Sequence, residues 1–443
     1  MTSTWAGLTT ALTSLRTQRV AIDVTGQNIA NVNTPGYARQ RVQLTAGVGV
    51  DVSAIQRLQN GILVNRSRTE EAQLADLSVS STALREIEQV FAEPSPNGLQ
   101  AKLDALWTGF ADIARDPTNR AARIQVLAQA NDITSWMYDA SAELTEIAST
   151  HRKDLASLIA TVNGQAEEVS RLNIAISQSV EDTSAMNALI DQRGALAAKI
   201  AQAVGGVYTL NAANMMTISL GGGTLVSPMS YRTLQVATAA GTTSVQFADD
   251  SSTATITSGS AGAHLTTINT TVEDWRNTLD TVAAALTSKV NTVHTTGYDL
   301  SGTIGGNFFT GTTADTITVA ITDGTRIAAS GIAPSGGVAS LDGSKADALA
   351  QLATSTAGPD EKYQDLVVSL AMDVKNTEQA AETQKAMSFS ITSQINAESG
   401  VSIDEEMANL LAYQRAYEAA SRLLTTIDSV LEILINRTGL VGR

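Results

Sequence analysis

Cysteine is absent from the 443 residues, which excludes disulfides and thiolate metal sites and leaves the redox compartment open. Aromatic residues make up only 4%, thin for a compact enzyme core. Basic residues are also few: 29 Lys and Arg stand against 44 Asp and Glu, a formal net charge of −15. A nucleic-acid partner needs a basic footprint to displace counterions, and no basic run is present. Nucleic acid and membrane insertion are therefore not expected, and no apolar run approaches the ~18 residues of a membrane span. The opening Met1-Thr2-Ser3-Thr4-Trp5-Ala6-Gly7-Leu8 shows no basic n-region and no apolar stretch, so no Sec-type signal is read there. A chain exported by a dedicated secretion machine would look the same.

Proline is scarce and unevenly placed. Its positions are 35, 94, 96, 117, 228, 334 and 359, leaving 118–227 and 360–443 proline-free. Helical periodicity fills most of the first gap and nearly all of the second. Near the start, Leu8, Leu15, Ile22 and Ile29 recur every seven residues, with Leu12 between them. A helix of about 28 residues would be ~42 Å long and could not bury so narrow a stripe alone. Near the end, Leu410, Tyr417, Leu424 and Leu431 mark one heptad position, and Tyr413, Ala420, Ile427 and Leu434 the other. Ser402 followed by Glu405 reads as a capping box, with Asp404 and Glu406 favouring the positive helix end, and Gly439 as a stop.

Between these ends, Thr118 to about Ala203 predicts long helices, with Leu155, Val162, Val169 and Ile176 in heptad spacing. Composition then shifts. Residues 206–265 hold only Arg232, Asp249 and Asp250 as charges, and the alternations at Met216–Leu220 and Thr253–Thr257 predict strands. Helix is expected again at about Ile268–Val293, strand at Thr316–Thr322, and helix from about Lys345. The fold class is thus mainly α with a β-rich insertion: long antiparallel coiled-coil helices formed by both termini, and a small β domain in the middle. The expected division is a core helix and turn at 1–37, a helical rod at 38–205 and 346–400, a β-rich outer domain with one inserted helix at 206–345, and a core helix at 401–443.

Catalytic signals are weak. The three histidines, His151, His264 and His294, lie at least 30 positions apart, with no H-E-x-x-H. His294 is expected at a surface or helix end. Gly221-Gly222-Gly223 reads as a strand turn, and Asp299-Leu300-Ser301-Gly302 lacks the alternating ligands of a calcium loop. Asp404, Glu405 and Glu406 do not converge on one point as neighbours on a helix. No enzyme activity, cofactor or metal is expected.

The first helix runs into Asn28-Ile29-Ala30-Asn31-Val32-Asn33-Thr34-Pro35-Gly36-Tyr37. Pro35 stops the helix, Gly36 permits positive φ, Tyr37 can pack back as an anchor, and Asn31 and Asn33 can bond last-turn backbone groups. As a string it resembles the N-terminal signature of flagellar rod, hook and first hook-associated proteins. Trp107, Phe110, Asp116-Pro117-Thr118, Ala121-Ala122-Arg123, Leu189-Ile190-Asp191-Gln192-Arg193, His294–Asp299, Gly305–Phe309, Ser399–Glu406 and Tyr413-Gln414-Arg415-Ala416-Tyr417 resemble, in order, the hook-associated protein 1 family. The β-rich middle is short for that family. The resemblance implies a secreted structural subunit at the junction of hook and filament, with the terminal helices lining an axial core. It also implies partners: copies of itself, hook protein below, a second junction protein above, and an export chaperone on the C-terminal helix. The alternatives are a hook or distal rod protein and, more remotely, a secreted coiled-coil adhesin or toxin.

Overall fold

The computed structural model describes residues 4–47, 49–180, 183–335 and 339–437. The chain travels outward along one set of helices and returns along another, so its two ends lie side by side. Helix α1 (Thr4–Ala30) is followed by an antiparallel hairpin, β1 (Gln40–Gly47) and β2 (Gly49–Arg57). This hairpin opens the stretch 38–205, expected as a helical rod, with strand instead of helix. Most of its side chains are exposed or half-buried on both faces, so no clean apolar alternation announces it.

The long helices follow. Asn60 caps α2 (Gly61–Phe91), its side chain accepting from the Ile62 and Leu63 N–H groups. After α3 (Leu99–Arg115), Asn119 caps α4 in the same way. Helix α4 (Arg120–Ser177) has 58 residues, roughly 87 Å at the usual rise. Thr183 caps α5 (Ser184–Val204). The chain then builds a three-stranded antiparallel meander, β3 (Val207–Leu210), β4 (Met216–Leu220) and β5 (Gly223–Val226), and a hairpin, β6 (Leu234–Ala239) and β7 (Thr242–Phe247). In β4, Met216, Ile218 and Leu220 are buried, as alternation demands.

Other expectations shift. Thr253–Thr257 makes only isolated bridges, Thr253 to Gln246 and Thr255 to Gly221. The expected helix at 268–293 starts earlier: α6 (Gly259–Thr266) passes through a π-turn at Thr267–Thr271 into α7 (Val272–His294). The expected strand at 316–322 shrinks to β9 (Thr318–Val319), paired with β8 (Phe309–Thr310). Helices α8 (Ser344–Ala350), α9 (Pro359–Ser399) and α10 (Ile403–Arg437) complete the chain; Gly439 lies outside the described residues.

Two hydrophobic cores are strung along α4. The first joins α3, α7, the end of α2 and the start of α9 to Val126–Leu144 of α4. The sparse aromatics concentrate there: Phe110 meets Phe308 edge-on at 5.6 Å, and Trp136 meets Tyr363 at 6.0 Å. The second core joins Leu155–Val169 of α4 to α5, the strands β3–β7 and α6. Residues 206–345, expected as one outer unit, therefore divide: the strands enter the second core, while α7 and Phe308-Phe309 enter the first. Arg123, fully buried, fastens the region after β9 to α4 by donating to the Gly324 and Ile327 carbonyls at 3.1 and 2.7 Å.

Candidate assembly interface

Neither core takes a described side chain from α1, the β1–β2 hairpin or α10. These elements form a layer of their own. Helices α1 and α10 run antiparallel: Asn28 of α1 bonds Glu406 of α10, and Gly7 faces Ile427. Each of those positions is 21 residues from the other along its own helix, so the register holds for nearly six turns. On its other side α1 carries the hairpin, where Thr17 Oγ1 donates to the Val50 carbonyl at 2.7 Å.

The seam differs in detail from the apolar heptads. The fully buried positions of α1 are Ala11, Thr17, Ala21, Val24, Thr25 and Asn28. Leu8, Leu15, Ile22 and Ile29 are half-buried, and Leu12 is exposed. Gly7, Ala21 and Asn28 lie on one heptad line, one position before the leucine stripe. Small side chains there let α10 approach closely; a Cβ on Gly7 would stand 3.2 Å from Ile427 Cδ1. On α10, Ala420 is buried, and Leu410, Tyr413, Leu424, Ile427 and Leu431 are half-buried. Tyr417 is exposed, and the Leu434 side chain lies outside the described residues.

One polar knot locks the layer. Asn28 is saturated: its Nδ2 donates to the Gln40 carbonyl at 2.8 Å and to Glu406 Oε2 at 3.0 Å. Its Oδ1 accepts from the Gln40 N–H at 3.0 Å and the Tyr37 hydroxyl at 2.8 Å. Glu406 is only 2% exposed, and its Oε1 accepts from Arg39 Nε at 2.8 Å. Arg39 Nη1 also donates to Glu405 at 2.8 Å. The two neighbouring glutamates, expected not to converge, thus meet on one guanidinium, whose flat fork reaches both. The capping box forms only in half: the Glu405 N–H donates to Ser402 Oγ at 3.5 Å, while the Glu405 carboxylate goes to Arg39. Burial, with Asp191 and Glu406 nearby, pushes the Tyr37 phenol up to about 12, so it stays a donor.

The turn behind this knot is built from the rest of the signature. Asn31 Nδ2 donates to the Gln27 carbonyl at 2.9 Å, its Oδ1 accepts from Thr34 Oγ1, and Gly36 takes φ 82°. Asn33, expected to bond the helix end, is exposed instead, as are Thr34 and Pro35. Asp191, from the Leu189–Arg193 run, accepts from Arg57 at the end of β2, tying the hairpin to α5. Nothing in the sequence pairs Arg39 with Glu406, because only folding brings positions so distant into contact.

The histidines are structural. His151 Nδ1 and His264 Nδ1 share a hydrogen bond of 2.8 Å across α4 and α6. His294 is a helix end but not a surface group: fully buried, it accepts the Ala328 N–H at Nε2, so Nδ1 carries the proton donated to the Gly306 carbonyl. Among the described residues no helix is long and apolar enough to cross a membrane.

Comparison with known proteins agrees with this layout. The family described as the flagellar hook-associated protein FlgK helical domain matches residues 84–309. The ends match two other families, flagella basal body rod protein at 8–37 and the flagellar basal body rod FlgEFG protein C-terminal region at 393–437. Flagellar hook-associated protein 1 of Bacillus subtilis is 26% identical over 100% of both chains. The Escherichia coli protein of that name is 22% identical over 96% of this chain and 98% of its own. The flagellar hook junction protein FlgK from Burkholderia pseudomallei shares the fold, with a TM-score of 0.65 at 15% identity, covering 74% of this chain and 99% of its own. With more than half the chain matched by the helical-domain family and both ends matched by flagellar rod families, the chain belongs to the FlgK family of flagellar hook-associated proteins.

Proposed function

We propose that this chain is a non-catalytic structural subunit joining hook to filament, exported unfolded through the flagellar secretion channel and assembled outside the cell into a ring at the hook tip. The observation that carries the reading is the terminal layer. Helices α1 and α10 cover each other on one side only, and Trp5, Ile403, Leu411, Leu423, Val430, Ile433 and Ile435 remain exposed. Apolar surface of this extent on paired helices is stabilised by covering it, and identical neighbours in a ring present the same surface to one another. In this reading α1 with its turn to Tyr37, and α10, form the inner layer and the two cores lie outside it. Hook protein packs below, a second junction protein above, and an export chaperone covers α10 before assembly.

A hook or distal rod subunit is the competing reading, favoured by the family matches at the two ends. The helical-domain match at 84–309 weighs against it. The deciding experiment is Leu424→Asp in the half-buried seam of α10. Soluble protein should reach the medium and hooks should form without filaments. Normal swimming at normal protein levels would remove the junction assignment, and loss of the hooks themselves would favour the rod or hook reading.

A further inference from the structure

A cleft of about 380 Å³ opens where β2, α2, α5 and β3 meet, and three arginines line it: Arg57, Arg68 and Arg193. Arg57 is neutralised by Asp191 at 2.5 Å. Among the described residues no carboxylate is bonded to the other two. Arg193, 1% exposed, donates through Nη1 to Asn173 Oδ1 and to the Asn214 carbonyl, both uncharged, and its Nε has no partner. Arg68, 8% exposed, donates to Asn65 Oδ1 at 3.0 Å and lies 5.0 Å from the centre of the Tyr208 ring. Its Nε is likewise without a partner. Glu71 is the acidic group that acts on Arg68, and it is occupied by Ser67 and Gln202.

Two cations are thus taken out of water beside a third, with no described carboxylate bonded to either. Burial, then Arg57 and Arg68, push the Arg193 guanidinium down to about 10, so the site would gain from a negative ligand. Guanidinium forks match the paired oxygens of a tetrahedral anion and grip it bidentately. We propose that this cleft binds one small oxyanion of the phosphate or sulfate class, held by Arg68 and Arg193. Arg57 ends the hairpin of the terminal layer, Arg68 belongs to α2, and Arg193 and Tyr208 belong to the second core's elements. An anion held by Arg68 and Arg193 ties α2 to α5 beside the point where the hairpin ends.

The test uses the full chain, titrated with inorganic phosphate by calorimetry and melted in phosphate against sodium chloride of equal ionic strength. One saturable site per chain is expected, with a melting temperature higher in phosphate. Arg68→Gln, its fold checked by circular dichroism, should weaken phosphate by about tenfold or more. If Arg68→Gln does not fold, Arg68→Lys decides, since it keeps the charge and loses the fork; it should bind phosphate measurably more weakly. The proposal is overturned if phosphate gives no saturable heat, if it stabilises no more than chloride, or if the folded variant binds as the parent does.

Discussion

Arg39 Nη2 lies 2.7 Å from Glu406 Oε1, although the two stand 367 positions apart along the chain. That contact sits where α1 ends and α10 begins, so it fixes the register of the whole terminal pair. Replacing Glu406 by Ala leaves Asn28 Nδ2 without one acceptor and Arg39 with only the exposed Glu405. The expected loss is about 2–3 kcal/mol, in the range for buried hydrogen bonds to charged groups. Since the pair enters neither core, the loss should be local: amide exchange in α1 should quicken by more than about tenfold while α3 and α4 exchange as before. Equal exchange in α1 of parent and variant would show that the knot does not hold the layer.

The antiparallel register places Ser14 opposite Ala420, between the Gly7–Ile427 and Asn28–Glu406 contacts and nearer the former. Cysteines at those two positions should form a disulfide under mild oxidation, since the chain has no native thiols to compete. Cysteine at Leu423, which is exposed on α10, should not bridge to position 14 within one chain. Non-reducing electrophoresis separates the outcomes. Efficient bridging of 14 to 423 but not to 420 would mean a rotated helix.

How much of this was legible in the sequence follows from what each residue signals. The helices α1 and α10 and their lack of a local partner are written in the heptads of Leu8–Ile29 and Leu410–Leu431. The true closest line, Gly7, Ala21 and Asn28, is not, because small and polar side chains carry no hydrophobic signal although they permit the nearest approach. The β1–β2 hairpin escaped because neither face is clearly buried. Tyr37 was readable as an anchor, but its acceptor Asn28 and the path onward to Glu406 depend on folding. Glu405 and Glu406 looked like helix-end charge because their cation comes from the other end of the chain.

His264 sets a measurable acid limit. Burial first, then the facing His151, lower its pKa from 6.5 to about 4, while Asp154 pulls the other way. Glu86 faces the pair through His151 Nε2 at 3.1 Å. The folded form therefore binds fewer protons than the unfolded chain below pH 6.5. Stability from this site is complete above 6.5 and declines as pH falls toward about 4. Other groups titrate in the same window, so the difference between parent and His264→Asn isolates the effect. That difference in melting temperature should narrow as pH drops from 6.5 to 4, and a constant difference would place the histidine's proton elsewhere.

The terminal layer should open before the body does. Both hydrophobic cores are closed without a described side chain from α1 or α10, so removing these helices leaves the cores intact, and the Arg57–Asp191 pair keeps the hairpin on α5. The seam between α1 and α10 buries small residues and only half-covers its leucines, whereas Leu99, Leu103, Leu106 and Phe110 in the first core are fully buried. Covered apolar area at roughly 25 cal/mol per Å² makes the body much the more stable part. Limited proteolysis of the free subunit should therefore trim both ends first and leave a resistant fragment beginning after about residue 37, the end of the turn built by Asn31–Tyr37. Glu406→Ala should speed the trimming without shortening the resistant fragment. In assembled rings, where neighbours cover the exposed faces of α1 and α10, the same protease should leave both ends intact. A free subunit as resistant at its ends as in the ring would mean that the pair is stable alone and that assembly does not cover it.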